Sequence, residues 1–206
     1  MPTLLHLDSS PLETSISREL AREYVKVWKT ARPDSVVTYR DLAANPPPPI
    51  DGTWVQAQFT PPDARTPQQA AAIRLSDELV GELERADEYV LSVPMHNFAI
   101  PSVLKLWIDQ IVRNGRTFSY SEKGAEGLLK GKKATVIVAA GGIYTAGTPA
   151  AAINFIDPYL KHILGFVGVT NVEFIDAGGA SKVMRGAVDR SVFMLPLLNE
   201  VRTKAA

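Results

Sequence analysis

The feature that most constrains this chain is an apolar run late in the sequence. Ala134 to Ala140 carries one polar residue, Thr135, and stops at Gly141-Gly142. A run of that kind marks a strand covered on both faces, because a strand with one wet face alternates apolar and polar positions. A strand buried on both sides needs helices above and below it, and the remaining sequence supplies them. Thr3 to Leu7, Val36 to Tyr39, Glu88 to Val93 and Val172 to Ile175 read as further strands. Between them lie helical patterns: Leu20, Tyr24 and Trp28 at spacing four from Ser17 onward, Pro67 to Ala86 with Ile73, Leu79 and Leu83 inward, Pro101 to Val112, Ala150 to Leu164, and Lys182 to Arg202.

That alternation implies an α/β chain with a parallel sheet and helices on both faces. Five strands at this length suggest a flavodoxin-like winding, with residues 1–206 as a single domain. Two stretches depart from the alternation. Ala43 to Thr66 holds Pro46 to Pro49 in a row, which favours an extended segment unable to donate to a sheet. Gly115 to Lys133 is polar and glycine-rich, with Phe118 and Tyr120 alternating as in a small hairpin.

Charge and composition exclude several functions. With 22 Lys+Arg against 22 Asp+Glu the chain is formally neutral, which offers no general attraction to nucleic acid or an anionic membrane. No apolar run approaches the roughly 18 residues of a membrane span, and a cytoplasmic location is expected. The chain has no cysteine, so redox chemistry must come from a bound organic cofactor. His6, His96 and His162 are scattered without metal-ligand spacing, and no metal is expected.

In an open parallel sheet, ligands bind beyond the carboxyl ends of the strands, near the point where strand order reverses. The loop after the first strand, Ser9 to Ser17, gathers hydroxyls at the start of a helix. Ser15 or Ser17 either caps that helix or donates to a phosphate held at its N-terminus. Arg18 adds positive charge, offset by Glu19 in the same turn. No glycine lies between Met1 and Gly52, so a dinucleotide fingerprint is absent, and Lys133 stands where a P-loop needs Ser or Thr. The loop after the third strand, Pro94 to Pro101, offers Met95, His96, Asn97 and Phe98, a mixture suited to the edge of a flat conjugated ring or to a rigid turn. The loop at Ala139-Ala140-Gly141-Gly142 admits close backbone approach to a ligand, or is a tight turn.

Taken together, Ser10 with Ser15-Ile16-Ser17, Asp41 to Pro46, Pro94 to Phe98, Leu128 to Lys133, Gly141-Gly142-Ile143, and Pro158 to Gly168 resemble the FMN-dependent NADH:quinone oxidoreductases known as azoreductases. The similarity runs to about Ala180. It implies a flavodoxin-like homodimer with an FMN in each subunit near the dimer interface. The phosphate would sit on Ser10 and the turn Ser15, Ile16, Ser17. Met95, His96, Asn97 and Phe98, with Ala139, Ala140, Gly141 and Gly142, would line the isoalloxazine. The chain departs from the family where Tyr is common at His96, where Ser-Arg is common at Ala139-Ala140, and where an aromatic is common at His162.

The resemblance further implies a ping-pong reaction: hydride passes from NADH or NADPH to tightly bound FMN, then to a quinone or aromatic azo acceptor. The cofactor supplies that chemistry, so no catalytic acid or base is named. Phe59, Phe118 and Tyr120 are rings for stacking an acceptor or for ordinary packing, and His162 joins them as a substrate candidate. The competing reading is a flavodoxin-type electron carrier without a substrate of its own, against which the neutral charge argues. A hydrolase of the G-x-S-x-G type lacks its motif.

Overall fold

The computed structural model describes residues 1–122 and 124–206. In chain order the elements are β1 (Thr3–Asp8), α1 (Ile16–Ala31), β2 (Val36–Asp41), α2 (Gly52–Phe59), α3 (Pro67–Arg85), β3 (Glu88–Pro94), α4 (Ser102–Ile111), β4 (Phe118–Ser121), β5 (Gly124–Gly127), β6 (Lys133–Ala140), α5 (Asp157–Phe166), β7 (Asn171–Gly178), α6 (Ser181–Met184) and α7 (Arg190–Ala205).

Five strands form one parallel sheet in the order β2-β1-β3-β6-β7. This is the flavodoxin-like winding expected from the sequence, and its order reverses between β1 and β3. Side chains alternate across the sheet with period two. Leu5, Leu7, Leu91, Val136 and Val138 pack with Leu79, Leu83, Leu104, Trp107, Leu160 and Leu164 of α3, α4 and α5. Leu4, Val90, Ile137 and Ile175 pack on the opposite face with Leu20, Tyr24 and Trp28 of α1 and Met194 and Val201 of α7. Thr135, the polar residue of the apolar run, is buried and donates to the Tyr24 hydroxyl at 3.2 Å.

The proline-rich excursion, expected to be extended, contains the helix α2. Asp51 caps α2 by accepting from Trp54 N at 2.7 Å, and Trp54 and Ala57 bury against Ile73 of α3. Gln110 of α4 holds this region from below: its amide oxygen accepts from Trp54 Nε1 at 2.8 Å, and its nitrogen donates to the Pro48 carbonyl at 2.9 Å.

Two expected helices have different bounds. The one expected over 150–164 starts at Asp157, because Asn154 Oδ1 accepts from the backbone N–H of Ile156 at 3.0 Å and of Asp157 at 3.2 Å, fixing a turn there. The one expected over 182–202 is split. Gly186 at φ 68° closes α6, and Asp189 opens α7 by accepting from Ser191 N at 2.7 Å.

The β4–β5 hairpin forms where Phe118 and Tyr120 alternate. It lies so close to the chain after α5 that a Cβ on Gly127 would sit 2.1 Å from Gly168 N. Glycine is required at this contact.

Candidate functional site

The loops after β1, β3, β6 and β7 meet at the carboxyl edge of the sheet around a cleft of about 490 Å³. Its floor at one end is the start of α1. Ser15 has the extended conformation of an N-cap (φ −61°, ψ 135°), yet its side chain accepts no hydrogen bond from the first turn. It shares a hydrogen bond with Ser17 Oγ at 3.1 Å instead. Ser17 is buried beneath, bonded to Ser92 Oγ at 3.1 Å, and Ser9 Oγ donates to the Ser92 carbonyl at 2.7 Å. The first intrahelical donor is Glu19 N, to Ser15 O at 3.0 Å. The first turn of α1 thus faces the cleft without a side-chain cap, carrying the partial positive charge of a helix N-terminus, which suits a phosphate.

Arg18 points away from this opening. It is 3% exposed, and its Nη1 donates to Asp41 Oδ2 at 2.7 Å and to the Tyr39 hydroxyl at 3.2 Å, with Asp8 Oδ2 at 3.5 Å. Its Nη2 donates to the Ser10 carbonyl at 2.5 Å. Burial alone would raise the Asp8 carboxyl; the His6 ring at 3.5 Å, the Tyr39 hydroxyl at 2.8 Å and the Arg18 charge hold it below the ordinary value. Burial likewise opposes ionisation of Asp41, and Arg18 with the Ala43 and Ala44 N–H groups brings it below. Burial and the Asp8 carboxylate push the Tyr39 hydroxyl up. Arg18 is therefore neutralised by carboxylates behind the loop and braces Ser10.

The loop after β3 closes as a two-residue turn. His96 and Ala99 exchange both backbone hydrogen bonds at 3.0 Å, with Asn97 at φ 50° and Phe98 at φ 70°. Asn takes this conformation readily; Phe does so at a cost, and persists there because its surroundings hold it. The Phe98 ring meets Tyr144 edge-on at 6.1 Å, and its carbonyl accepts from Phe155 N at 3.1 Å. Met95 N donates to the Ala139 carbonyl at 2.8 Å, locking the β3 and β6 loops together.

The far wall is Ala139, Ala140 and Gly141, with Ala180, Val183 and Met184 of the α6 region. The carbonyls of Ala140, Gly141 and Gly142 accept from the N–H groups of Ala180, Ser181 and Gly179 at 3.0, 3.1 and 2.8 Å, which clamps that region on. A Cβ on Gly141 would approach nothing nearer than Ser181 Cβ at 3.8 Å, so its missing side chain leaves the wall low. Arg190 reaches the cleft from the start of α7, donating to the Thr14 carbonyl at 3.0 Å and to Glu19 Oε2 at 2.6 Å. The whole arrangement offers an anion seat at one end and a flat, largely apolar slot at the other.

Among the expected cofactor residues, Ser10, Ser15, Ile16, Met95, His96, Ala139, Ala140 and Gly141 line the cleft. Ser17, Asn97, Phe98 and Gly142 stand outside its lining. Of the substrate candidates none lines it. Phe59 is on the rim of a second cleft, and Phe118 is buried against Phe166 and Tyr120 at ring distances of 4.8 and 5.4 Å. Tyr120 and His162 are exposed. Ala180, Val183, Met184 and Arg190 were missed; their signal was a fifth strand whose loop must reach the same edge.

Residues 2–191 match a family model described as a flavodoxin-like fold. The chain is 58% identical over the whole of both sequences to the FMN-dependent NADH:quinone oxidoreductase of Acidobacterium capsulatum. It is 49% identical to the enzyme of that name from Nostoc punctiforme, covering 88% of this chain and 89% of the relative. Among solved structures, an azoreductase from Bacillus anthracis str. Sterne superposes with TM-score 0.89 at 27% identity, covering 100% and 99% of the two chains. An FMN-dependent NADH-azoreductase from Bacillus anthracis str. Ames Ancestor, solved in complex with FMN, gives TM-score 0.87 at 27% identity, covering 100% and 98%.

Proposed function

The chain belongs to the family of FMN-dependent NADH:quinone oxidoreductases, and from that membership we propose that it binds FMN in the cleft at the carboxyl edge and reduces quinones and aromatic azo compounds with NADH or NADPH. The observation that carries this reading is the uncapped N-terminus of α1 opening into a cleft of about 490 Å³. That volume lies within the range of about 300 to 1,000 Å³ usual for cofactor sites. When bound, FMN supplies two-electron hydride chemistry, with the nucleotide donor leaving before the acceptor enters in its place.

The chain itself binds and orients. The hydroxyls of Ser10 and Ser15 and the N–H groups of Ile16 and Ser17 hold the phosphate. Met95, His96 and the backbone of Ala139, Ala140 and Gly141 bound the ring slot, while Asn97, Phe98 and Gly142 fix the loops behind it. The low wall at Gly141 admits the flat ring, and the apolar lining excludes water from it.

The working unit is a homodimer in the cytoplasm. Phe98, Ile143, Ile153 and Phe155 are exposed apolar residues on the chain around the cleft loops, and such exposure in one region favours burial by a second copy. Phe59, Tyr120 and His162 are exposed and outside the cleft of their own subunit, so a substrate role for them requires that second copy.

Initial rates measured with NADH and a benzoquinone varied together test the order of events. Parallel double-reciprocal lines support the ping-pong scheme; intersecting lines contradict it. Absence of direct NADH oxidation would leave the electron-carrier reading. A monomer in size-exclusion chromatography would contradict the dimer.

A further inference from the structure

A second cleft, of about 440 Å³, lies between the end of α2, the middle of α3 and the turn that follows α4. It shares no lining residue with the first. Arg65, Arg113 and Arg116 converge there on one carboxylate. Asp77 Oδ2 lies 3.5 Å from Arg65 Nη1, and Asp77 Oδ1 lies 3.1 Å from Arg113 Nη1 and 3.4 Å from Arg116 Nη1. Glu84 does not relieve the imbalance for the inner pair, because both of its oxygens are taken by Arg116 at 2.8 Å.

Among the described residues three guanidiniums thus face two carboxylates, a formal excess of one positive charge; Arg65 Nε donates to the carbonyls of Ala57 and Thr60 at 3.1 and 3.2 Å, and Arg113 Nη1 donates to Ser76 Oγ at 2.6 Å with its guanidinium 5.7 Å over the Trp54 ring. The side chains of Arg65 and Arg113 are 9% and 3% exposed, while that of Arg116 is 34% exposed. Among the described residues Arg113 Nε is buried without a hydrogen-bond partner; Gln58 Oε1 on the wall of the same cleft is also unpartnered, and as an acceptor it calls for a donor and not for the anion. A buried guanidinium with an idle N–H is costly unless an acceptor arrives.

We propose that this cleft binds a small organic monoanion, a carboxylate or sulfonate on an apolar or aromatic body, with Arg65 and Arg113 holding the charged head. The formal excess of one positive charge sets the charge of the ligand. Planar guanidiniums suit oxyanions because they donate in a fork. The size argues for an organic ligand: about 440 Å³ lies within the range of about 300 to 1,000 Å³ usual for small-molecule sites. Pro61 and Pro62 supply an apolar rim for the body.

The test is isothermal titration of the FMN-loaded protein with benzenesulfonate, benzyl alcohol and inorganic sulfate, at low salt and at about 0.15 M ionic strength. The expected result is saturable one-to-one binding of benzenesulfonate that weakens with salt, weaker binding of sulfate, no binding of benzyl alcohol and an unchanged flavin spectrum. Arg65→Gln removes one cation, and Gln58→Glu places a carboxylate in the cleft while keeping both arginines. Each weakens benzenesulfonate by about tenfold or more. No saturable binding by the wild-type protein overturns the proposal. So does equal affinity in Gln58→Glu, or a flavin-spectrum change that both variants retain. Sulfate binding as tightly as benzenesulfonate overturns the organic body.

Discussion

The guanidinium of Arg18 donates to the carbonyl oxygen of Ser10 at 2.5 Å, from the side of the loop that faces away from the cleft. A residue in the first turn of α1 thereby sets the position of the residue that opens the phosphate loop. The same guanidinium is the counter-charge of Asp8, which is fully buried, and of Asp41.

Arg18→Met keeps most of the apolar stem and removes the charge. Asp8 is then left buried without its cation, and stability falls by about 3 to 5 kcal/mol. Urea unfolding of the protein freed of FMN measures the loss. FMN affinity falls too, because Ser10 is no longer braced; a variant with unaltered stability and affinity would contradict the assigned role.

Acid sensitivity follows from the carboxyls whose values are depressed. Asp8 and Asp41 titrate lower in the folded chain than unfolded, so their contribution is complete above the unfolded value of about 3.9 and disappears as pH falls through the folded values. Tyr39→Phe deletes a donor to Asp8 and lets its folded value rise toward the unfolded one. The acid midpoint followed by circular dichroism shifts to higher pH. A midpoint equal to that of the wild-type chain would remove Tyr39 from the network.

Ser15→Ala separates the cap from the phosphate ligand. A capping serine costs roughly 0.5 to 2 kcal/mol when lost. Since the Ser15 side chain caps no N–H group, the FMN-free variant is destabilised by less than about 0.5 kcal/mol. FMN binding weakens by about tenfold. Thermal unfolding and FMN titration together decide, and the reverse pattern would restore the cap.

Gly141→Ala adds a methyl group where the fold has room, with ordinary contact at 3.8 Å. The apo fold is unaffected within about 0.5 kcal/mol, and FMN affinity drops because the methyl group enters the slot. Gly127→Ala does the opposite: its Cβ would meet the Gly168 backbone at 2.1 Å, so the hairpin is displaced and stability is lost. Thermal midpoints of the two variants measured side by side check both.

The sheet and its winding were legible because burial on both faces writes continuous apolar runs into β3 and β6, and because Leu20, Tyr24 and Trp28 repeat at helical spacing. α2 was hidden by the prolines around it, although Asp51 three residues before Trp54 was its capping signal. The helix bounds at Asp157 and Arg190 depended on side-chain acceptors, Asn154 and Asp189, that a periodicity reading passes over. In the cleft, Ser10, Met95 and Gly141 were readable because each lies within two residues of the carboxyl end of a strand. Arg190 was not, since it arrives from a helix start that the continuous-helix reading had erased. Arg65 and Arg113 lie 48 positions apart in the chain, and only the packing of α2, α3 and α4 brings both to Asp77.

Absorption spectroscopy of the purified protein without oxygen decides whether this cleft holds a flavin that takes electrons from a nicotinamide nucleotide and delivers them to a quinone. The expected result is a yellow protein whose flavin bands are bleached by NADH or NADPH and restored by added quinone. A colourless protein that takes up no FMN would contradict it, and so would a flavin-loaded protein that neither nucleotide bleaches.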